Sequence, residues 1–356
     1  MIKKECFTAE WIEQVSSELH YNDKNLIEKV IRALSLLEML VKAGCPLVFK
    51  GGTALMLILG KSAHRLSIDI DLICPPGTNI EDYLKSFADF GFINLELVER
   101  KQRDDADIPK SHSKFFYQIA YRNDTDAQSY ILLDVLYEDI HYFRTQQIAI
   151  NCPFIRLEGK PLMVTVPSAE DILGDKLTAF APNTTGIPYY RNGRSCSMEI
   201  AKQLYDVGRL FENVSDLQIT KEAFRKIAVV ELSYRSFGTD IGQVFNDIRQ
   251  TALCISTRGK AGEGDFDLIQ DGIIRVKSFM YKQRYLIDHA IIDAARAAYL
   301  ATLIEKGINE IESYSNNPAD IKDMVIRPSL PNKLNKLRSN PVSYTHLRAH
   351  ETTLHL

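Results

Sequence analysis

Two glycines and two aspartates lie close together in FKGGTALMLILGKSAHRLSIDIDLI, residues 49–73. Asp69 and Asp71 stand one residue apart in a run that otherwise reads as core: Leu66, Ile68, Ile70 and Leu72. On a strand, alternate side chains share a face. Ser67, Asp69 and Asp71 therefore point one way and the four apolar residues the other. Adjacent carboxylates repel each other, and burying them uncompensated is costly. A divalent cation relieves both problems, and hard oxygen ligands with room for phosphate oxygens suit Mg²⁺. Gly51 and Gly52 open a helix-forming stretch. Glycines there allow close backbone approach and leave N–H groups at a positive helix end, a place for phosphate. Activating an attacking hydroxyl through the metal needs a third carboxylate. YILLDVLYED supplies Asp134 in the middle of an apolar strand. Arg65, just before the pair, can bind phosphate or pair with Asp69. Together these residues describe a site for a metal-bound nucleoside triphosphate.

The elements that must hold them follow from periodicity. Apolar residues at helical spacing run from Leu26 to Val41, with Asp23 or Asn25 to cap the start and Gly44 the end. PLVFK is a short buried strand, and GGTALMLIL turns into a helix. RLSIDIDLIC alternates as a strand does, and Ile80 to Phe90 reads as a helix. Strands are expected at Phe92–Val98, Lys114–Tyr121 and Tyr130–Tyr137, with a polar loop, KQRDDADIPKSHSK, between the first two. After Pro167 the chain changes character. Ser168 is a good N-cap, and helices are expected at Ser197–Glu212, Lys221–Val230, Ser233–Cys254, Asp265–Arg275 and Tyr281–Gly307. The fold class is thus α/β: a small twisted mixed sheet with helices over 1–166, then an all-helical domain over 167–340.

KGGTAL (Lys50–Leu55) followed by HRLSIDIDL (His64–Leu72) resembles the AbiEii/AbiGii-type nucleotidyltransferase toxins. These belong to the polymerase-beta-like superfamily, as do the MenT toxins. The resemblance runs over most of Phe49 to Phe211. It implies a nucleotidyltransferase core with a helical C-terminal domain and the NTP in the cleft between them. It also implies a role as the toxin of a toxin–antitoxin or phage-defence pair, with a cognate antitoxin as partner. The implied reaction moves a nucleoside monophosphate from an NTP to an acceptor hydroxyl, releasing pyrophosphate. Asp69, Asp71 and Asp134 would hold two Mg²⁺; Gly51, Gly52, Thr53, Arg65 and Ser67 would bind the nucleotide. Thr53 stands where the wider superfamily has Ser and keeps a hydroxyl. In DKLTAF, Lys176 is a candidate triphosphate clamp. In AKQLYDVGRLF, Lys202 and Asp206 match a family motif but stand at i and i+4, where they can simply pair. Gln203 replaces the acidic residue usual after that lysine.

The resemblance makes a tRNA 3′ end the first acceptor. A small-molecule (antibiotic) acceptor, a protein hydroxyl and a non-catalytic interaction protein are the alternatives. The loop Arg103–Lys114 and YYRNGRS (Tyr189–Ser195) mix Arg, Tyr and Asn, which suits stacking and phosphate contacts on RNA.

A net charge of −3 on 356 residues excludes a polycation built for non-specific nucleic-acid binding. Six scattered cysteines without ligand spacing suggest reduced thiols, no zinc site and a cytoplasmic protein. No apolar run reaches the ~18 residues that span a bilayer, and MIKKECFTAEWIEQ lacks the apolar core of a signal peptide. PVSYTHLRAHETTLHL, residues 341–356, resembles the translation of a sequencing-library transposon adapter. It is read as a non-native tail without a face to bury.

Overall fold

The computed structural model describes residues 1–98, 110–121, 127–214, 216–234, 240–311 and 339–346, with positions 238, 319, 322, 323 and 337. The chain divides into two units, one of residues 1–168 and 278–284, the other of 169–277 and 285–356.

In the first unit, α1 (Ala9–Leu19) and α2 (Lys24–Lys42) each begin at a side-chain cap, Thr8 accepting from the Trp11 N–H and Asp23 from the Leu26 N–H. Such caps satisfy backbone donors that the helix itself leaves unpaired. Then come β1 (Val48–Lys50), α3 (Gly51–Leu59), β2 (Ile70–Cys74), β3 (Asn94–Val98), β4 (Lys110–Gln118), β5 (Gln128–Tyr137), β6 (Thr145–Ala149) and β7 (Met163–Pro167). One sheet has the order β1-β2-β5-β4-β3. β2 and β5 run parallel and the other pairs antiparallel. On β5, Ile131, Leu133 and Val135 are buried, while the alternate residues Tyr130, Leu132 and Asp134 are more open. This one-sided burial is what a sheet with one covered face shows.

The second unit begins with α4 (Ala169–Ala179). A two-stranded hairpin follows, β8 (Tyr190–Arg191) and β9 (Arg194–Ser195). Then come α5 (Ser197–Phe211), α6 (Leu217–Ser233), α7 (Ile241–Ser256), α8 (Phe266–Val276) and α9 (Ile287–Lys306). α4 packs on α6, and α5 on α8 and α9. The α4–α6 crossing is close because position 174 is glycine: a Cβ there would lie 2.7 Å from the Phe224 nitrogen.

Several expectations need correction. Residues 80–90 form two 3₁₀ turns, Ile80–Tyr83 and Phe87–Phe90, rather than a helix. The strand expected from Arg65 begins only at Ile70. Residues 110–114 of the expected polar loop belong to β4; 101–109 lie outside the described residues. The helical region contains the β8–β9 hairpin, whose turn residues Asn192 and Gly193 have φ of 58° and 73°. Asn-Gly at positive φ suits the tight hairpin turn. The helix expected from Tyr281 begins at Ile287, because 278–284 returns to the first unit. The Leu66 N–H donates to Phe279 at 2.8 Å and the Tyr281 N–H to His64 at 2.9 Å. Residues 341–346 of the supposed tail are helical, with Tyr344 fully buried and His346 packed between Phe211 and Tyr299.

Candidate active site

The register of the main sheet collects polar residues in one row. Lys50 on β1 faces Asp71 on β2, Asp71 faces Asp134 on β5, and Asp134 faces His112 on β4. Directly paired residues share a face, so two carboxylates stand side by side between a lysine and a histidine. Phe49, Leu72 and Val135, the neighbouring row, are buried. The alternation thus separates core from site at a single step along each strand.

His112 Nδ1 is hydrogen-bonded to Asp134 Oδ1, and the His112 side chain is largely buried. Neither His112 nor Lys50 was singled out as a site residue from the sequence. His112 lay within what read as a polar loop, and only the β4–β5 pairing puts it beside Asp134. The sequence signal that could have found it is the alternation His112, Lys114, Phe116 against buried Ser113, Phe115, Tyr117.

The two glycines have different neighbours. Gly51, the first residue of α3, has φ +80°, and a Cβ added there would lie 2.1 Å from Asp71 Oδ2. The Asp71 carboxylate therefore rests against the backbone at the helix N-terminus, where the peptide dipoles favour negative charge. A Cβ on Gly52 would lie 2.6 Å from Ser67 Oγ and 2.9 Å from Arg65 Nη2. The helix end expected to receive phosphate is thus lined by Asp71, Ser67 and Arg65 themselves. Thr53 is fully buried and its hydroxyl donates to the Asp69 carbonyl at 2.7 Å, so it secures the segment entering β2. Arg65 is also buried, with Nη1 donating to the Leu66 carbonyl at 3.0 Å.

Asp69 lies just outside β2, half-buried, and its charge acts on Lys29 of α2. Burial holds the Lys29 ammonium below its usual range, against the pull of Asp69 and Asp23. Among the described residues no three His, Cys, Asp or Glu side chains converge as a metal-holding group. The register pairs Asp71 with Asp134, while Asp69 lies just before β2. The pair Asp71–Asp134 still suits Mg²⁺, which is commonly held by one or two carboxylates with substrate phosphate oxygens completing the shell.

Lys176 and Asp206 meet in the second unit. Their side chains, 9% and 2% exposed, form an ion pair at 3.1 Å between α4 and α5. Asp206 thus has a partner on another helix, besides standing one turn after the half-buried Lys202.

The family described as nucleotidyl transferase AbiEii toxin, type IV TA system, matches residues 34–316. The chain belongs to that family. No curated protein matches it. Among solved structures, JHP933 from Helicobacter pylori is 15% identical, covering 86% of this chain and 95% of that one, with a TM-score of 0.40. MenT4, a nucleotidyltransferase toxin from Mycobacterium tuberculosis H37Rv, is 13% identical, covering 97% and 98%, with a TM-score of 0.42. At such scores neither likeness carries weight. As an AbiEii protein the chain is a nucleotidyltransferase toxin of a type IV toxin–antitoxin system, with an NTP as substrate and an antitoxin as counterpart. Among the described residues no helix is long and apolar enough to cross a membrane.

Proposed function

We propose that this AbiEii toxin transfers a nucleoside monophosphate from an NTP to the 3′ end of a tRNA, in a Mg²⁺-dependent reaction centred on Asp71 and Asp134. The observation that carries the reading is the side-by-side placement of these two carboxylates, with Gly51 leaving room for one of them. Asp69 enters from the segment tied down by Thr53, and its charge acts on Lys29. Bound Mg²⁺ would neutralise phosphate charge and lower the pKa of the acceptor hydroxyl. The protein's part in such an in-line displacement is positioning more than covalent chemistry. His112 holds the Asp134 carboxylate in one orientation, and the helix end at Gly51 holds that of Asp71. Lys50 places a positive charge in the same row, which eases the repulsion that two neighbouring carboxylates would otherwise feel.

The test incubates purified protein and Mg²⁺ with each α-labelled NTP and, separately, total tRNA, cell protein and an aminoglycoside panel. Label is expected at the tRNA 3′ end and is lost in Asp71→Ala. Label entering only protein or drug would overturn the acceptor. In parallel, calorimetry with a non-hydrolysable NTP should show Mg²⁺-coupled binding that Asp71→Asn abolishes. Equal affinity with and without the metal would overturn the metal assignment.

A further inference from the structure

The sheet face that carries Asp134 also carries an aromatic and cationic group that the catalytic row does not use. Tyr130 lies four residues before Asp134 on β5, on the same face, and is 40% exposed. Phe116 on β4 is its register partner, with ring centroids 5.7 Å apart. Two ammonium groups converge on the Tyr130 ring: Lys29 of α2 at 5.5 Å and Lys114 of β4 at 5.6 Å from its centroid. Lys114 also meets the exposed Glu96 at 3.3 Å, a surface pair of little energetic weight. Lys29 connects this group to the catalytic end of the sheet through its interaction with Asp69.

An isolated exposed tyrosine needs no explanation. One packed against a phenylalanine ring at a tilt of 56° and approached by two lysines, on the open face beside a carboxylate row, has the composition of a single-strand contact. Bases stack on aromatic rings while cations take the neighbouring phosphates. A cation–π contact at an exposed site is weaker than base stacking, so Lys114 can yield the ring to a base and turn to the phosphate beside it. At the rise of a strand, Tyr130 stands about 13 Å from Asp134. That is too far for the reacting nucleotide itself and within reach of those that precede it in an acceptor strand.

We infer that Tyr130, Phe116, Lys29 and Lys114 form a docking platform for the unpaired nucleotides just before the reacting 3′ hydroxyl of an RNA acceptor. The inference rests on the RNA-acceptor reading above and assigns the residues that hold the strand.

The experiment measures binding of a short, 5′-fluorescein-labelled single-stranded oligoribonucleotide with a free 3′ hydroxyl, by anisotropy, to the full chain without NTP. Tyr130→Leu should weaken binding about tenfold, in the range found for loss of one stacked base. Tyr130→Trp should restore it, an aromatic rescue that a purely structural role would not give. Lys29→Gln and Lys114→Gln should each flatten the salt dependence by about one phosphate contact. NTP affinity, read by calorimetry, should not change in Tyr130→Leu, Tyr130→Trp or Lys114→Gln. Unchanged RNA binding in Tyr130→Leu, or no binding by the unaltered chain, overturns the platform. So does a loss of NTP affinity instead, which would assign the ring to the base of the NTP. Label transfer to tRNA by the unaltered protein is scored separately. If tRNA is labelled but Tyr130→Leu binds the oligoribonucleotide normally, only the platform fails. If the platform variants behave as expected but no RNA is labelled, the acceptor reading fails and with it the platform's role in transfer, leaving an RNA-binding face alone.

Discussion

At Gly51 a single absent methyl group decides whether a carboxylate can occupy its place. The position combines φ of +80° with an Asp71 oxygen where a Cβ would go. Gly51→Ala therefore strains the backbone and displaces Asp71 at once. The expected result is loss of nucleotidyl transfer comparable to Asp71→Ala, with a fall in melting temperature that Asp71→Ala does not share. A Gly51→Ala protein with normal transfer would show that the carboxylate need not rest against the helix end. Gly60, also at positive φ but with no atom within 4 Å of an added Cβ, is the matched control: Gly60→Ala should cost stability and leave transfer intact.

At the scale of elements, the α4–α5 contact contains a buried charge pair in which Lys176 had been read as a phosphate clamp. Removing one member takes from the other its close opposite charge in a buried place, which is strongly destabilising. Lys176→Met should thus lower unfolding stability steeply, measured by urea titration. Lys176→Met combined with Asp206→Leu should recover most of the loss, because an apolar pair of similar volume is tolerated. A clamp acting on the NTP would behave otherwise: Lys176→Met would keep its stability and lose NTP affinity. The pairing at 3.1 Å with both side chains buried favours the first outcome.

On the scale of the whole chain, charge burial within the second unit makes stability depend on pH. Asp293 of α9 is buried, and burial pushes its carboxyl from the ordinary 3.8 up to about 7, against the pull of Arg209 and Arg296. Tyr285 donates to it at 3.1 Å, and Glu212, paired with both arginines, adds to the upward push. A folded-state pKa above the unfolded one means the native form binds more protons between the two values. The contribution to stability is therefore full below about pH 3.8 and lost as pH rises towards 7. The melting temperature should carry a downward slope with pH across that window, and Asp293→Asn should flatten it. An unchanged slope in the variant would place the titrating group elsewhere. The segment 341–356 is a second test at this scale. Tyr344 is fully buried and His346 packs on Phe211 and Tyr299, so deletion of 341–356 should lower the melting temperature by several degrees. An unchanged value would favour the reading of an appended, non-native tail.

What the sequence determined by itself was local. Helical spacing and a capping aspartate marked α2 to within two residues of Lys24–Lys42, and an apolar run marked β5. The aspartates, the glycine pair and the KGGTAL and HRLSIDIDL motifs were enough to indicate the family to which the chain belongs. Local pattern erred where tertiary contacts override it. It made one helix of two 3₁₀ turns, missed the Asn-Gly hairpin at Tyr190–Ser195, and ran a helix through 281–286, where Tyr281 is instead buried against Phe154 in the first unit. The tertiary structure alone decided the neighbours of the carboxylates. Asp71 meets Asp134 through a parallel strand pairing 63 residues apart in sequence, and His112 reaches Asp134 through an antiparallel one. Strand register is set by the closing of the whole sheet over its buried face, and a one-residue slip would turn every one of these side chains away. No local motif encodes that closure, so the row Lys50, Asp71, Asp134 and His112 came into view only with the fold.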